Sequence, residues 1–142
     1  MIQTLELLAW MLGAYLVAAI PVGLLIGRAR GVDLREIGSG NIGATNAVRA
    51  MGRKWGLLVF ALDVAKAAIP VWAATTRFGD PNSIAWIALA AILGHIFPVY
   101  LRFRGGKGVA CALGVFLVLA PKAALVGLLV YLQTLYLTRV SA

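Results

Sequence analysis

The sequence predicts an all-α, polytopic integral membrane helical bundle, and three observations carry that expectation. Of 142 residues, 62% are hydrophobic and 13% charged, where soluble domains hold about 45–50% apolar and about 25% charged residues. The mean hydropathy is +0.93. A soluble fold of this size would have to show much of that apolar sequence to water. The third observation is a series of apolar runs, several of them near the roughly 20 residues that cross about 30 Å of hydrocarbon. The single cysteine, Cys111, excludes an internal disulfide and any multi-cysteine metal site.

The first run extends from Leu5 to Gly27 with one charge, Glu6, near its outer end. It is too long for a cleaved signal peptide and lacks a basic leader, and Pro21 inside it predicts a kink. A second run covers Trp55 to Ala74, interrupted by Asp63 and Lys66, and a third covers Ile84 to Leu101. The fourth, Val109 to Ala120, has only 12 residues, and the fifth runs from Ala123 to Leu137. Taken as one helix the last two would span 29 residues. That is over-long, and Pro121 disfavours unbroken helix, so two short helices turning at Pro121-Lys122 are expected. Trp10, Trp55, Trp72, Trp86, Tyr100 and Tyr136 sit mostly near run ends, as an interfacial belt requires.

Charge then sets the topology. The chain has 13 Lys+Arg against 5 Asp+Glu, a net of +8. The segment 28–54 holds Arg28, Arg30, Arg35, Arg49, Arg53 and Lys54, the segment 102–108 holds Arg102, Arg104 and Lys107, and the tail adds Arg139. Only Arg77 and Lys122 fall on the other side. The positive-inside rule gives five spans, the N-terminus outside and the C-terminus in the cytoplasm. A nucleic-acid partner is not expected, because no aromatic-interleaved basic stretch, zinc or helix-turn-helix signature accompanies the charge. Gly23 and Gly27 form a GxxxG pattern, whose ordinary meaning is helix contact.

Two cytoplasmic segments are unlike plain connectors. The first, Gly38-Ser39-Gly40-Asn41-Ile42-Gly43-Ala44-Thr45-Asn46-Ala47-Val48-Arg49, opens as G-x-G-x-x-G. It is not a dinucleotide fingerprint, since Leu34-Arg35-Glu36-Ile37 is no buried strand and a βαβ unit has no room. Its physics still suits an anion: glycines turn backbone N–H groups toward a ligand. Ser39, Asn41, Thr45 and Asn46 add donors, and Arg49 offers a planar two-point clamp. The stretch after Ala44 reads as helical and could point its N-terminus at the same anion.

The second segment, Arg102-Phe103-Arg104-Gly105-Gly106-Lys107-Gly108, is not a Walker A loop, because Gly108 follows Lys107 where Ser or Thr is needed. A solvated basic turn is the plain reading of one such loop. Two glycine-plus-cation loops on one face point to a shared anion site.

Asp63 and Lys66 share a helix face. They read equally as an internal ion pair or as functional intramembrane charges. His95, within Gly94-His95-Ile96-Phe97-Pro98, reads as a hydrogen-bonded packing residue ahead of a base or ligand. No second histidine supports a metal site, and no Ser-His-Asp pattern or nucleophile elbow is present.

The motif 38–49 resembles the first signature of the bacterial acyl-phosphate:glycerol-3-phosphate acyltransferases. Asp63-Val64-Ala65-Lys66 is similar to the family's next patterned helix, with Ala67 where glycine usually follows. Residues 94–110 resemble its glycerol-3-phosphate loop, with Arg104 for the commoner lysine and Cys111 for the usual threonine. The resemblance implies transfer of a fatty acyl group from acyl phosphate to the 1-hydroxyl of glycerol 3-phosphate. The products are lysophosphatidic acid and phosphate, the first step of phospholipid synthesis. It implies no metal and no cofactor, and a cytoplasmic-side active site in the bacterial inner membrane. The partners would be membrane lipid and the enzyme that produces acyl phosphate. The H-x-x-x-x-D motif of other glycerol-phosphate acyltransferases is absent, since Tyr100 stands five residues after His95.

By motif position the resemblance makes Ser39, Arg49 and Lys107 catalytic. Gly38, Gly40, Asn41, Thr45 and Asn46 shape or line the phosphate pocket. Gly105, Gly106 and Gly108 hold glycerol 3-phosphate beside His95 and Arg104, and Asp63 and Lys66 support the site. Acyl phosphate is already activated, so charge stabilisation and positioning can carry the rate. Ser39 is therefore expected to hydrogen-bond a reacting oxygen rather than form an acyl-enzyme.

The family normally has seven spans and a third motif with a histidine and an asparagine. This sequence stops at Thr138-Arg139-Val140-Ser141-Ala142. The expectation is a single membrane domain over 1–142, either a fragment or a short homologue, with weak or absent turnover by itself. The competing readings are an oligomeric phosphate- or anion-conducting membrane protein and an inactive fragment of the acyltransferase.

Overall fold

The computed structural model describes residues 2–138; Arg139 of the basic tail lies outside the described residues. Every regular element within them is a helix: α1 (Ile2–Ala19), α2 (Val22–Ala29), α3 (Ala44–Met51), α4 (Arg53–Arg77), α5 (Pro81–Ile96), α6 (Val109–Leu119) and α7 (Pro121–Thr138), with a 3₁₀ turn at Val99–Leu101. Three stretches, Gln3–Ala29, Arg53–Arg77 and Pro81–Leu101, are long and apolar enough to cross a bilayer. The sequence predicts five crossings, but the 11 residues of α6 reach only about 16 Å, and the 18 residues of α7 include Lys122 and Gln133.

Prolines mark three of the helix boundaries. Pro21 interrupts the first run outright, separating α1 from α2, because it lacks an N–H for the helix ladder. Pro81 opens α5 after Asp80, whose carboxylate accepts the Ser83 amide at 2.8 Å. Pro121 is the first residue of α7 rather than the turn itself; the break falls one residue earlier, at Ala120 with φ −148° and ψ 66°. Pro70 stays inside α4. The helix predicted after Ala44 is present as α3, ended by Gly52 at φ +89°, a conformation that favours glycine.

The core is made of small residues. Ala14, Ala18, Ala67, Val71, Ala74, Ile87, Ala88, Ala91, Cys111 and Val115 form one buried cluster joining α1, α4, α5 and α6. In lipid such contacts gain from close backbone approach rather than from expelling water. Gly94 of α5 lies so close to α1 that an added Cβ would sit 3.0 Å from the Tyr15 carbonyl carbon, and Gly114 of α6 would meet the Val64 carbonyl of α4 similarly at 3.1 Å. At the other end of α1 and α4, the Arg77 guanidinium holds both Glu6 oxygens, at 2.6 and 2.7 Å. Trp10 packs edge-on against Phe78 nearby, centroids 5.8 Å apart.

The GxxxG helix behaves differently from its usual meaning. Gly23 faces the Ile42 carbonyl, and a Cβ on Gly27 would lie 2.7 Å from the Val32 carbonyl oxygen. Both glycines of α2 admit the backbone of the 30–43 loop, and at Gly23 the Val59 side chain of α4 closes in as well, so α2 packs on this loop and on α4 together. Leu34, Ala47 and Val59 form a second buried cluster that fastens this loop between α3 and α4.

Candidate active site

The first glycine loop folds around one side chain. Asn46 is 1% exposed at the start of α3. Its Oδ1 accepts the Ser39 amide at 3.1 Å, and its Nδ2 lies 2.8 Å from the Leu34 and Asn41 carbonyls and 3.0 Å from that of Ile37. Asn41 makes a tighter local turn, its Oδ1 accepting the Gly43 amide at 2.9 Å. Gly38 and Gly40 have φ of +59° and +68°, which favours glycine. Both asparagines thus spend amide groups on the loop itself, and Ser39 is left exposed at its tip.

The second loop is built on the end of α5. Gly105 donates to the Ile96 carbonyl and Gly106 to the His95 carbonyl, each at 3.1 Å. Arg102 and Phe103 both take positive φ, 52° and 63°, to turn the chain, and Gly108 at φ +81° starts α6. Lys107 is consequently exposed between two glycines that face the protein interior.

These loops meet. A pocket of about 100 Å³ is lined by Ser39, Asn41, Thr45 and Asn46 from the first, by Lys107 and Gly108 from the second, and by Asp63 and His95 between them. Gly43, Ala44, Phe60, Val109, Ala110 and Tyr131 complete its wall. A wider, mainly apolar groove of about 1010 Å³ adjoins it between α3, α4, α6 and α7, where Arg49 lies beside Val48, Leu57, Leu113, Phe116 and Leu132. Ala44, Thr45, Phe60, Val109 and Tyr131 belong to both spaces. That Tyr131 of α7 stands near Val109 of α6 also shows that these helices fold back as a hairpin.

Behind the pocket lies a buried ionic cluster. Lys66 Nζ is 2.9 Å from Asp63 Oδ1 and donates to the Ile20 carbonyl at 2.7 Å, a carbonyl at the α1–α2 break. Asp63 Oδ1 is 3.7 Å from His95 Nδ1, and the Asp63 backbone carbonyl accepts the Cys111 thiol at 3.1 Å. Lys66 thus neutralises Asp63 and ties α4 to the broken first span. Asp63 also faces the pocket.

Seven of the residues singled out by sequence do not line the pocket: Gly38, Gly40, Gly105 and Gly106 shape the two loops, Lys66 lies behind Asp63, and Arg49 and Arg104 lie elsewhere. Arg104 is exposed and outside the pocket wall. Arg49 lines the groove instead of the pocket. Phe60 and Tyr131 line the site without any signal in the sequence, since an aromatic in an apolar helix is ordinary. Among the described residues no group of three or more His, Cys, Asp or Glu could hold a metal ion.

Small-residue helices, three candidate spans and two cation-bearing glycine loops around one pocket are the features of a helical integral membrane protein. Comparison with known proteins gives the same class. Residues 8–142 match the family profile described as glycerol-3-phosphate acyltransferase. A glycerol-3-phosphate acyltransferase of Anaeromyxobacter dehalogenans (strain 2CP-C) is 53% identical over 143 residues, covering 93% of this chain and 71% of the relative. That of Myxococcus xanthus (strain DK1622) is 52% identical, covering 94% and 71%. The crystal structure of PlsY (YgiH), an integral membrane glycerol 3-phosphate acyltransferase in its glycerol 3-phosphate form, superimposes with a TM-score of 0.88 at 46% identity. It covers 92% of this chain and 66% of that chain. A lysophosphatidic acid form of PlsY gives a TM-score of 0.86. The chain belongs to the glycerol-3-phosphate acyltransferase family and spans about 71% of the length of these two curated relatives.

Proposed function

We propose that this protein transfers a fatty acyl group from acyl phosphate to the 1-hydroxyl of glycerol 3-phosphate at the cytoplasmic face of a bacterial inner membrane. The observation that carries the reading is the joining of a small polar pocket, holding Ser39 and Lys107, to a large apolar groove through a shared wall. Such a site suits a substrate with a phosphate head and an acyl tail, and the PlsY forms with glycerol 3-phosphate and lysophosphatidic acid support it.

In this reading Lys107 and the amides of the second loop neutralise the glycerol 3-phosphate anion. Arg49, at the groove beside the first loop, clamps the acyl phosphate head, and Ser39 hydrogen-bonds a reacting oxygen. The 1-hydroxyl oxygen forms a bond to the acyl carbon, and the acyl–phosphate C–O bond breaks. The electron pair leaves on inorganic phosphate, and the hydroxyl proton is released. Positioning the two anionic substrates suffices, because acyl phosphate is already activated and carries its own leaving group. Asn41 and Asn46 shape the first loop, and α6 with α7 walls the apolar groove of a single membrane domain. The ten cytoplasmic cations of the sequence set the orientation.

The test is release of phosphate by the purified protein in lipid, with acyl phosphate and glycerol 3-phosphate supplied separately and together. Release only with both, and loss with Arg49→Lys, supports the reading. Phosphate flux across liposomes without acyl donor would favour an anion-conducting protein instead.

A further inference from the structure

We propose that His95 is a positioning residue: its imidazole is the floor beneath the second glycine loop, and it sets where Lys107 stands in the pocket. The proposal rests on the reading of Lys107 as the cation for glycerol 3-phosphate.

His95 is 5% exposed and receives the Gly106 amide on its own carbonyl at 3.1 Å. The loop therefore returns directly over the residue that anchors it. A Cβ added to Gly106 would overlap His95 Nε2 and lie 2.9 Å from Cε1 and 3.1 Å from Cδ2, so the loop backbone rests flat against the edge of the ring. Gly106 is not among the residues with positive φ. Glycine is needed there for space, and the space is taken by His95. From below, the ring faces Asp63 Oδ1 at 3.7 Å. Lys66 and the Cys111 thiol hold Asp63 in turn. The ring is thus confined between a fixed carboxylate and the loop, and the height of Lys107 follows from the size of the side chain at 95.

Gly105 provides an internal contrast. A Cβ there would strike the backbone carbonyls of His95 and Ile96 instead of the ring. Removing the imidazole cannot relieve that clash.

The experiment is a set of double-mutant cycles on the purified protein in detergent, with Gly106→Ala and Gly105→Ala each combined with His95→Ala. Three readouts are taken: the unfolding midpoint, its rise with glycerol 3-phosphate alone, and KM and kcat. Each single substitution is expected to lower kcat/KM for glycerol 3-phosphate by roughly 10- to 100-fold, mainly through KM. The Gly106→Ala penalty is expected to vanish in the His95→Ala background, in midpoint and in KM, while the Gly105→Ala penalty persists. His95→Gln, which refills part of the volume, is expected to recover part of the KM loss. Penalties of Gly106→Ala and His95→Ala that simply multiply would overturn the proposal, as would a His95→Ala defect confined to kcat. The unfolding midpoints test the packing without substrate. Absence of any glycerol 3-phosphate effect on the wild type would instead overturn the acceptor reading on which the positioning of Lys107 depends.

Discussion

Asn46 Oδ1 accepts the backbone N–H of Ser39 at 3.1 Å, so the residue placed at the tip of the first loop is held from inside by an amide on α3. The same side chain reaches the Leu34, Ile37 and Asn41 carbonyls. One buried amide therefore replaces the ladder that a loop lacks.

Asn46→Ala leaves those carbonyls and the Ser39 amide without their partner. The expected cost is about 2–4 kcal/mol, together with loss of activity as Ser39 is released. Asn46→Asp keeps the acceptor for Ser39 but sets a carboxylate oxygen against three carbonyl oxygens in a buried site, and is expected to be at least as damaging as Asn46→Ala. Unfolding midpoints and turnover of the three proteins check the order; an unchanged Asn46→Ala protein contradicts it.

Gly23→Ala pushes a methyl into the Ile42 carbonyl, whereas Gly13 has nothing within 4 Å of an added Cβ. Gly23→Ala is expected to destabilise by about 1–3 kcal/mol, as overpacking does, and Gly13→Ala to be neutral or to stabilise by up to about 1 kcal/mol. Equal midpoints for the two variants would show that α2 does not rest on the first loop.

Lys66→Met strands the Asp63 carboxylate, whose side chain is 3% exposed. Breaking a buried pair from one side costs about 3–5 kcal/mol. Combining it with Asp63→Asn is expected to recover much of that loss, since no charge remains buried. Denaturant unfolding of the single and double variants gives the comparison, and a double variant worse than the single would count against it.

The Asp33 carboxyl is held at about 2, below its ordinary 3.8, by hydrogen bonds from the Arg35 side chain and then from its amide. The Arg35 Nε lies 3.0 Å from Oδ1. Because the folded value is the lower one, the pair contributes fully above about pH 4 and is lost as pH falls through about 2. The group is exposed, so the effect is small and weakens with salt. Asp33→Asn is expected to flatten this acid limb in the unfolding midpoint at low ionic strength; an unaltered limb would assign it to other carboxyls.

Much of the architecture is legible in the sequence because membrane helices announce themselves by composition. Leu5–Gly27, Trp55–Ala74 and Ile84–Leu101 appear as Gln3–Ala29, Arg53–Arg77 and Pro81–Leu101. Pro21 and Pro121 break the chain as their missing N–H requires, the latter as the first residue of α7 instead of the turn. The glycine spacing of Gly23 and Gly27 reveals a close contact but not its partner, since a missing Cβ accommodates a loop carbonyl as readily as a helix.

The sequence by itself determined the membrane class, the order of the helices, the two cation-bearing glycine loops and the family. Each of those is written in local composition, in proline and glycine, or in contiguous motif. The tertiary structure decided that Ser39, Lys107, Asp63 and His95 face one pocket, that Lys66 turns to the Ile20 carbonyl, and that Tyr131 and Phe60 join the wall. Those meetings depend on how closely Ala- and Gly-lined helix faces approach one another. That distance is set by the packing of residues far apart in the chain, which no local pattern records.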